Sequence, residues 1–103
     1  MIKIAVDSMG SDNSPHSEVE GAVQAAKAYG VHVILVGKES LLTPLLREAG
    51  SDGLPIEVRN ATQVILMDEA PTTALRKKKD SSIRVAAELV RGRTASGLVS
   101  AGN

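Results

Sequence analysis

The opening stretch, MIKIAVDSMGSDNSP, constrains this chain more than any other. Ile2, Ile4, Ala5 and Val6 form an apolar run that breaks at Asp7 into a loop of small and polar residues. Such a run suits a strand covered on both faces, as in parallel sheets, whose buried strands read as continuous apolar stretches. Pro15 directly after Ser14 reads as a first helical position behind its cap. In open α/β sheets the loops leaving the carboxyl ends of strands form the ligand crevice. Asp7, Met9, Gly10, Ser11 and Asp12 therefore sit where chemistry is expected.

The same unit then repeats. Val19, Ala22, Val23 and Ala26 recur at helical spacing, Gly30 ends the helix, and VHVILV (31–36) reads as a second strand. The helix between is long enough for a crossover, which makes the strands parallel and the connection right-handed. Leu41, Leu42, Leu45, Leu46 and Ala49 mark a second helix. Ser40 is its plausible cap, Pro44 is tolerable only near its first turn, and Gly50 stands just past its end. LPIEVR (54–59) alternates, with Ile56 and Val58 inward, which predicts an edge strand. Val64 to Met67 reads equally as strand or loop wall, and Pro71 to Lys79 as one or two helical turns. Ser81 or Ser82 caps a further helix with Ile83, Ala86, Ala87 and Val90 as its buried stripe and Arg84 paired to Glu88 outside. ASGLVS (95–100) reads as another strand, followed by Ala101, Gly102 and Asn103.

The fold expected is a three-layer α/β/α arrangement with a mostly parallel, Rossmann-like sheet, incomplete within these residues. A strand ending in a Gly-Asn turn ordinarily feeds another crossover. Residues 1–103 are therefore expected to be the amino-terminal part of a single α/β domain, truncated after Ser100-Ala101-Gly102-Asn103. Alone, that part would leave an apolar sheet face uncovered and be marginally stable.

Composition narrows the function classes. At 103 residues the chain is one domain at most, and 43% hydrophobic with 23% charged residues is the balance of a folded globular protein. One Tyr and no Phe or Trp argue against a base-stacking nucleic-acid surface. No cysteine means no disulfide, thiolate metal site or thiol nucleophile. Lys3 and Asp7 interrupt the start as no signal peptide would, and no apolar run reaches membrane-spanning length, so a cytosolic setting is the default. Net charge is zero but unevenly spread: residues 1–70 hold five basic and ten acidic side chains, whereas 71–93 hold seven basic against Asp80 and Glu88.

The motifs point to an anion. A phosphate loop fails at Gly37-Lys38, which Glu39 follows instead of Ser or Thr, and no G-x-G-x-x-G exists, so no nucleotide cofactor is implied. Asp7 and Asp12 could hold a hard cation, but carboxylates at such a place also serve by accepting backbone N–H bonds, and no metal site is assigned. His16 lies close enough to reach a site, whereas His32 reads as a strand residue. Arg76-Lys77-Lys78-Lys79 is either a solvated face or an anion site. In the second case only one or two of the four can point at one ligand. Ser81 and Ser82 follow at a helix start, where free N–H groups favour phosphate. Ser100, Gly102 and Asn103 offer a second place of this kind, with glycine for close approach and Asn as donor and acceptor.

Taken in order, IAVDSMGSDNSP, the LVG after the second strand, ALRKKKDSSIRVAAELV and the terminal VSAGN resemble the phosphate acyltransferase (PlsX) family of bacterial phospholipid synthesis across nearly the whole chain. Members of that family are much longer and continue past SAGN into a Thr-Gly helix start. One departure is Gly10-Ser11-Asp12, where the family usually has Gly-Gly-Asp, which matters if position 11 needs a positive φ. The resemblance implies transfer of a fatty acyl group from acyl-acyl carrier protein to inorganic phosphate, forming acyl phosphate. For that reaction, position and chemistry suggest Arg76 and Lys78 as anion contacts, Ser81 or Ser82 as a helix-start donor, Ser100 as a further substrate or phosphate contact, and Gly102 with a catalytic Asn103 as the loop nearest the reacting carbonyl. Asp7, Gly10 and Asp12 would form the opposite wall. Acidic acyl carrier protein would dock on the remaining cations of 76–79. A homodimer and peripheral membrane association are further implications, although no membrane-binding helix is visible in the sequence. Two other readings stay open on the residues alone: a non-catalytic module binding an anion or acidic partner through 76–84, and a coenzyme A-dependent phosphotransacetylase-like enzyme.

Overall fold

The computed structural model describes residues 2–64 and 77–101. The readings made above for 65–76, including Arg76 and the helical turns after Pro71, and those for Gly102 and Asn103 lie outside them. Among the described residues the chain forms four strands and three helices. They run β1 (Lys3–Asp7), α1 (His16–Tyr29), β2 (His32–Gly37), α2 (Glu39–Glu48), β3 (Ile56–Asn60), α3 (Ser82–Arg91) and β4 (Gly97–Ser100).

All strands are parallel, in the order β3-β2-β1-β4. The register sets Ala5 beside Ile34 and Leu98, and Asp7 beside Val36 and Ser100. The steps from β1 to β2 to β3 run one way across the sheet, so right-handed crossovers place α1 and α2 on the same face. β4 lies on the other side of β1, which sends α3 to the opposite face. Two separate cores follow. Val19, Val23, Leu42 and Leu46 pack with Val33 and Leu35 on one side, and Ala86, Leu89 and Ala95 pack with Ala5, Ile34 and Val36 on the other. This is the expected three-layer α/β/α architecture. β2 lies at its centre, with Val33 to Val36 all buried, and β3 is the expected edge strand.

The α1 stripe is buried as its spacing predicts. The other helices differ in detail. In α3 the buried positions are Ser82, Ala86 and Leu89, with Val85 and Val90 packed beside them, while Ala87 faces outward. Seating the helix on Ala5 and Ile34 turns the stripe away from the side that the apolar spacing alone suggested. Ser14 is not the cap of α1: Pro15 holds that position, and Ser14 Oγ instead accepts from Ser11 N and bonds Glu18. Nor does Ser40 cap α2, which starts one residue before it. Asn60 of β3 reaches across to accept from Glu39 N at 3.0 Å. Pro44 lies inside α2 beyond its first turn, where it removes one helical donor. Burial of Leu42 and Leu46 holds the helix in spite of that loss. Gly50, at φ 74°, ends α2 with Gly50 N on Arg47 O and Ser51 N on Leu46 O, a Schellman closure that needs the left-handed glycine.

One expectation for β1 is met on one face only. Ala5 is fully buried, but Ile4 and Val6, on the α1 side, are only half-buried, and their neighbour Val99 is 54% exposed.

Leu41 and Leu42 separate sequence hydrophobicity from position. Leu42 is fully buried and Leu41 is 45% exposed. Leu42→Ala is expected to cost roughly 2–5 kcal/mol in urea denaturation, and Leu41→Ala less than about 1 kcal/mol. Equal losses would mean that α2 does not seat as described.

Candidate functional site

Because every strand is parallel, all four carboxyl ends fall on one edge of the sheet, and the loops leaving them meet there. Asp7 ends β1 and is buried. Its Oδ1 accepts from Met9 N at 3.2 Å, and its Oδ2 accepts from Ser100 Oγ at 2.9 Å. The first bond folds the exit loop back on its own carboxylate. The second fastens β1 to β4 across 93 residues of sequence. A carboxylate held by two donors is a structural clamp, and it brings together two of the loops singled out in the sequence.

The clamp continues along the edge. Ser8 N donates to Val36 O at 2.9 Å, and Met9 lies over Gly37 so closely that a Cβ there would sit 2.9 Å from Met9 Cγ. Glycine at 37 is what lets the first loop lean on the exit of β2. Gly10 takes φ 97°, a conformation that strains any residue with a side chain. Ser11 is not among the positive-φ residues. The departure from Gly-Gly-Asp is thus accommodated without backbone strain, and Ser11 Oγ adds bonds to Ser14 Oγ and, at 2.9 Å, to Glu18 Oε2. Asp12 is exposed.

On the other side of β2, Ala61 N donates to Gly37 O, and the segment after β3 is clasped to the start of α3. Thr62 gives both its N–H and its hydroxyl to Asp80 Oδ2, Gln63 Oε1 accepts from Asp80 N, and Ser82 N donates to Gln63 O. Ser81 and Ser82 are both buried, and Ser81 Oγ caps α3 by accepting from Arg84 N at 3.3 Å. Two donors of the helix start are therefore used within the chain. Lys78, in the turn before α3, donates from Nζ to Val64 O at 2.9 Å. The sequence placed Ser81 and Ser82 at a helix start, and the structure does the same, whereas Lys78, expected in the helical turns of 71–79, lies outside a helix. Ser8, Lys38, Asn60 and Thr62 were not chosen from sequence. The last three, with Glu39 and Ser40, line an open groove of about 650 Å³ at the exits of β2 and β3. Their signal was available only as position: each follows or ends a strand.

Of the two histidines, His16 begins α1 and is exposed, whereas His32 begins β2 with its Nε2 3.7 Å from Glu57 Oε2, at the opposite end of the strands from the loops. Among the described residues there is no group of three His, Asp or Glu side chains placed to hold a metal ion, and no helix is long and apolar enough to cross a membrane.

The Thr62 hydroxyl and then the Thr62 N–H hold the Asp80 carboxyl below the ordinary value of 3.8, slightly opposed by desolvation. A lowered folded-state pKa contributes stability that is present above the unfolded value and lost as pH falls through the folded one. Asp80 is exposed, so the contribution is small. Thr62→Val is expected to return the Asp80 titration, followed by carboxyl NMR, toward its ordinary value. An unchanged titration would mean the clasp is absent in solution. Ser100→Ala leaves the buried Asp7 Oδ2 without its hydroxyl donor, and a loss of roughly 1–3 kcal/mol in chemical denaturation is expected.

Comparison with known proteins gives the sequence its relatives. A family model described as "Fatty acid synthesis protein" matches residues 2–103. The chain is 50% identical over 102 residues to a phosphate acyltransferase of Syntrophotalea carbinolica and 52% identical over 102 residues to one of Citrifermentans bemidjiense, in each case covering 99% of this chain and 29% of the relative. A phosphate acyltransferase of Heliobacterium modesticaldum is 46% identical over 103 residues, 31% of its length. The chain thus spans about 30% of the length of the curated relatives it matches. By that match over residues 2–103 the chain belongs to the fatty acid synthesis protein family, that of the phosphate acyltransferases.

Proposed function

We propose that this chain forms the amino-terminal wall of an acyltransferase site, in a longer polypeptide that moves a fatty acyl group from acyl-acyl carrier protein to inorganic phosphate. The observation that supports this most is the Asp7–Ser100 bond, which draws the first loop and the last strand exit to one point of the carboxyl edge. The names of the relatives support the reaction class.

In the reaction a phosphate oxygen attacks the thioester carbonyl, the new C–O bond forms, and the C–S bond breaks. The proton given up by phosphate ends on the departing carrier-protein thiol. Phosphate is a weak nucleophile that must be held against the carbonyl, and the oxyanion formed on the way needs a donor. In this reading Lys78 and Arg76 supply positive charge to the phosphate, with Ser81 and Ser82 fixing the turn that carries it. Their hydroxyls are buried, which makes them supports for the anion site in preference to direct donors. Gly102 gives close approach, Asn103 offers its amide N–H to the oxyanion, and Ser100 holds that loop through Asp7. Gly10 and Asp12 bound the opposite wall. The remaining cations near residue 77 attract the acidic carrier protein. A homodimer and association with the membrane surface belong to the same reading.

The test is release of free carrier-protein thiol by the full-length protein. It is expected to require phosphate, and Asn103→Ala is expected to lower kcat by about 100-fold, the scale of one lost oxyanion donor, with KM for phosphate little changed. Lys78→Ala is expected instead to raise KM for phosphate. Thiol release that does not depend on phosphate would contradict the proposal. Preference for coenzyme A thioesters over carrier-protein thioesters would replace the donor it names.

A further inference from the structure

An apolar groove of about 310 Å³ runs beside α1 on the face of the sheet away from α3. Ile4, Val6 and Val99 form its floor, and Gly21, Ala25 and Glu18 of α1 form its wall. Three observations say that the described residues leave this groove without the cover it needs. Val99 is 54% exposed although it lies next to Val6 in a parallel sheet, a kind of sheet that is covered on both faces. Gly21 lies inside α1, where glycine is disfavoured, yet no described residue comes within 4 Å of the place its Cβ would occupy. The described residues thus give no reason for a glycine, whereas close approach of another backbone would. Glu18 Oε2 is bonded to Ser11 and Ser14, but Glu18 Oε1 is buried with no hydrogen-bond partner among the described residues. A buried carboxylate oxygen left in this state is costly, so a donor is expected opposite it.

We infer that the groove seats an α-helix from the portion of the polypeptide that the relatives carry beyond the matched region, with small or apolar side chains against Gly21 and Val99 and one hydrogen-bond donor facing Glu18 Oε1. The matched region is about 30% of the relatives' length, so ample chain exists to supply it. That helix does not connect β4 to the next strand outward. A step beyond β4 continues the direction from β3 to β4, and right-handedness would put its crossover on the α3 face. The occupant is a segment that returns to the α1 face from further along the chain. This inference rests on reading the chain as part of a longer polypeptide, but not on the reaction assigned to it.

The experiment uses the full-length protein carrying Gly21→Leu. In an open groove leucine would cover apolar surface and favour the helix, raising the melting temperature. Against a seated helix it must collide, and a fall of about 5 °C is expected with the oligomeric state unchanged in sedimentation. A rise or no change would overturn the inference, as would a fall accompanied by dissociation of a dimer, which would make the occupant a second copy. A crystal structure of the same protein is expected to show a donor within hydrogen-bond distance of Glu18 Oε1; a helix seated with no such donor would overturn the part assigned to Glu18. Phosphate-dependent thiol release by the unsubstituted protein is measured separately, so failure of the acyl-transfer reading is distinguishable from failure of this one.

Discussion

Parallel pairing of β1 with β2 on one side and β4 on the other is the constraint on which the rest of the structure depends. It reverses the direction in which the chain crosses the sheet, and that reversal puts α3 on the face opposite α1 and α2. It also puts the exit of the first strand between the exits of its two neighbours. Asp7 is the residue at that junction. Its two acceptor oxygens go to two different elements, its own exit loop and β4, so the local turn and the long-range pairing reinforce each other. A buried carboxylate would be unfavourable without both donors, and with both it fixes how the edge is assembled.

The charge pattern gains meaning from this geometry. Acidic residues dominate the first seventy positions and basic ones the stretch from 71 to 93. The fold returns residues 78–82 of that stretch to the carboxyl edge, because the clasp of Thr62, Gln63 and Asp80 ties the exit of β3 to the beginning of α3. Positive charge separated in sequence from the VDSMG loop thus comes to the same edge of the sheet. The clasp uses N–H groups that a bare helix start would offer to a phosphate, and for that reason the anion reading leans on side-chain cations more than on the helix terminus.

Much of this was legible in the sequence where one physical rule dominates. The continuous apolar run of β2, the helical spacing of Val19, Ala22, Val23 and Ala26, and the alternation of Ile56 and Val58 each fixed an element and its place. Capping was less legible. Ser14 and Ser40 have the right side chains in the right places, yet Pro15 and Asn60 take their positions or partners, since a side chain from another strand competes equally well for an open N–H. The outward turn of Ala87 was hidden because an alanine suits either face, and only the sheet beneath decides. For the site, Asp7 and Ser100 were visible as residues but their bond was not, being a product of register. The groove of Lys38, Asn60 and Thr62 carried no motif at all and exists only through the meeting of two strand exits.

The central claim is that the carboxyl edge, and no other part of this surface, receives the phosphate. Titration of the full-length protein with inorganic phosphate, followed by backbone amide NMR, tests it most directly. The account predicts that shifts concentrate in residues 8–12, 77–82 and 100–103. Shifts confined to the opposite edge, at 30–32, 53–55 and 92–96, or no saturable shift at all, would contradict it.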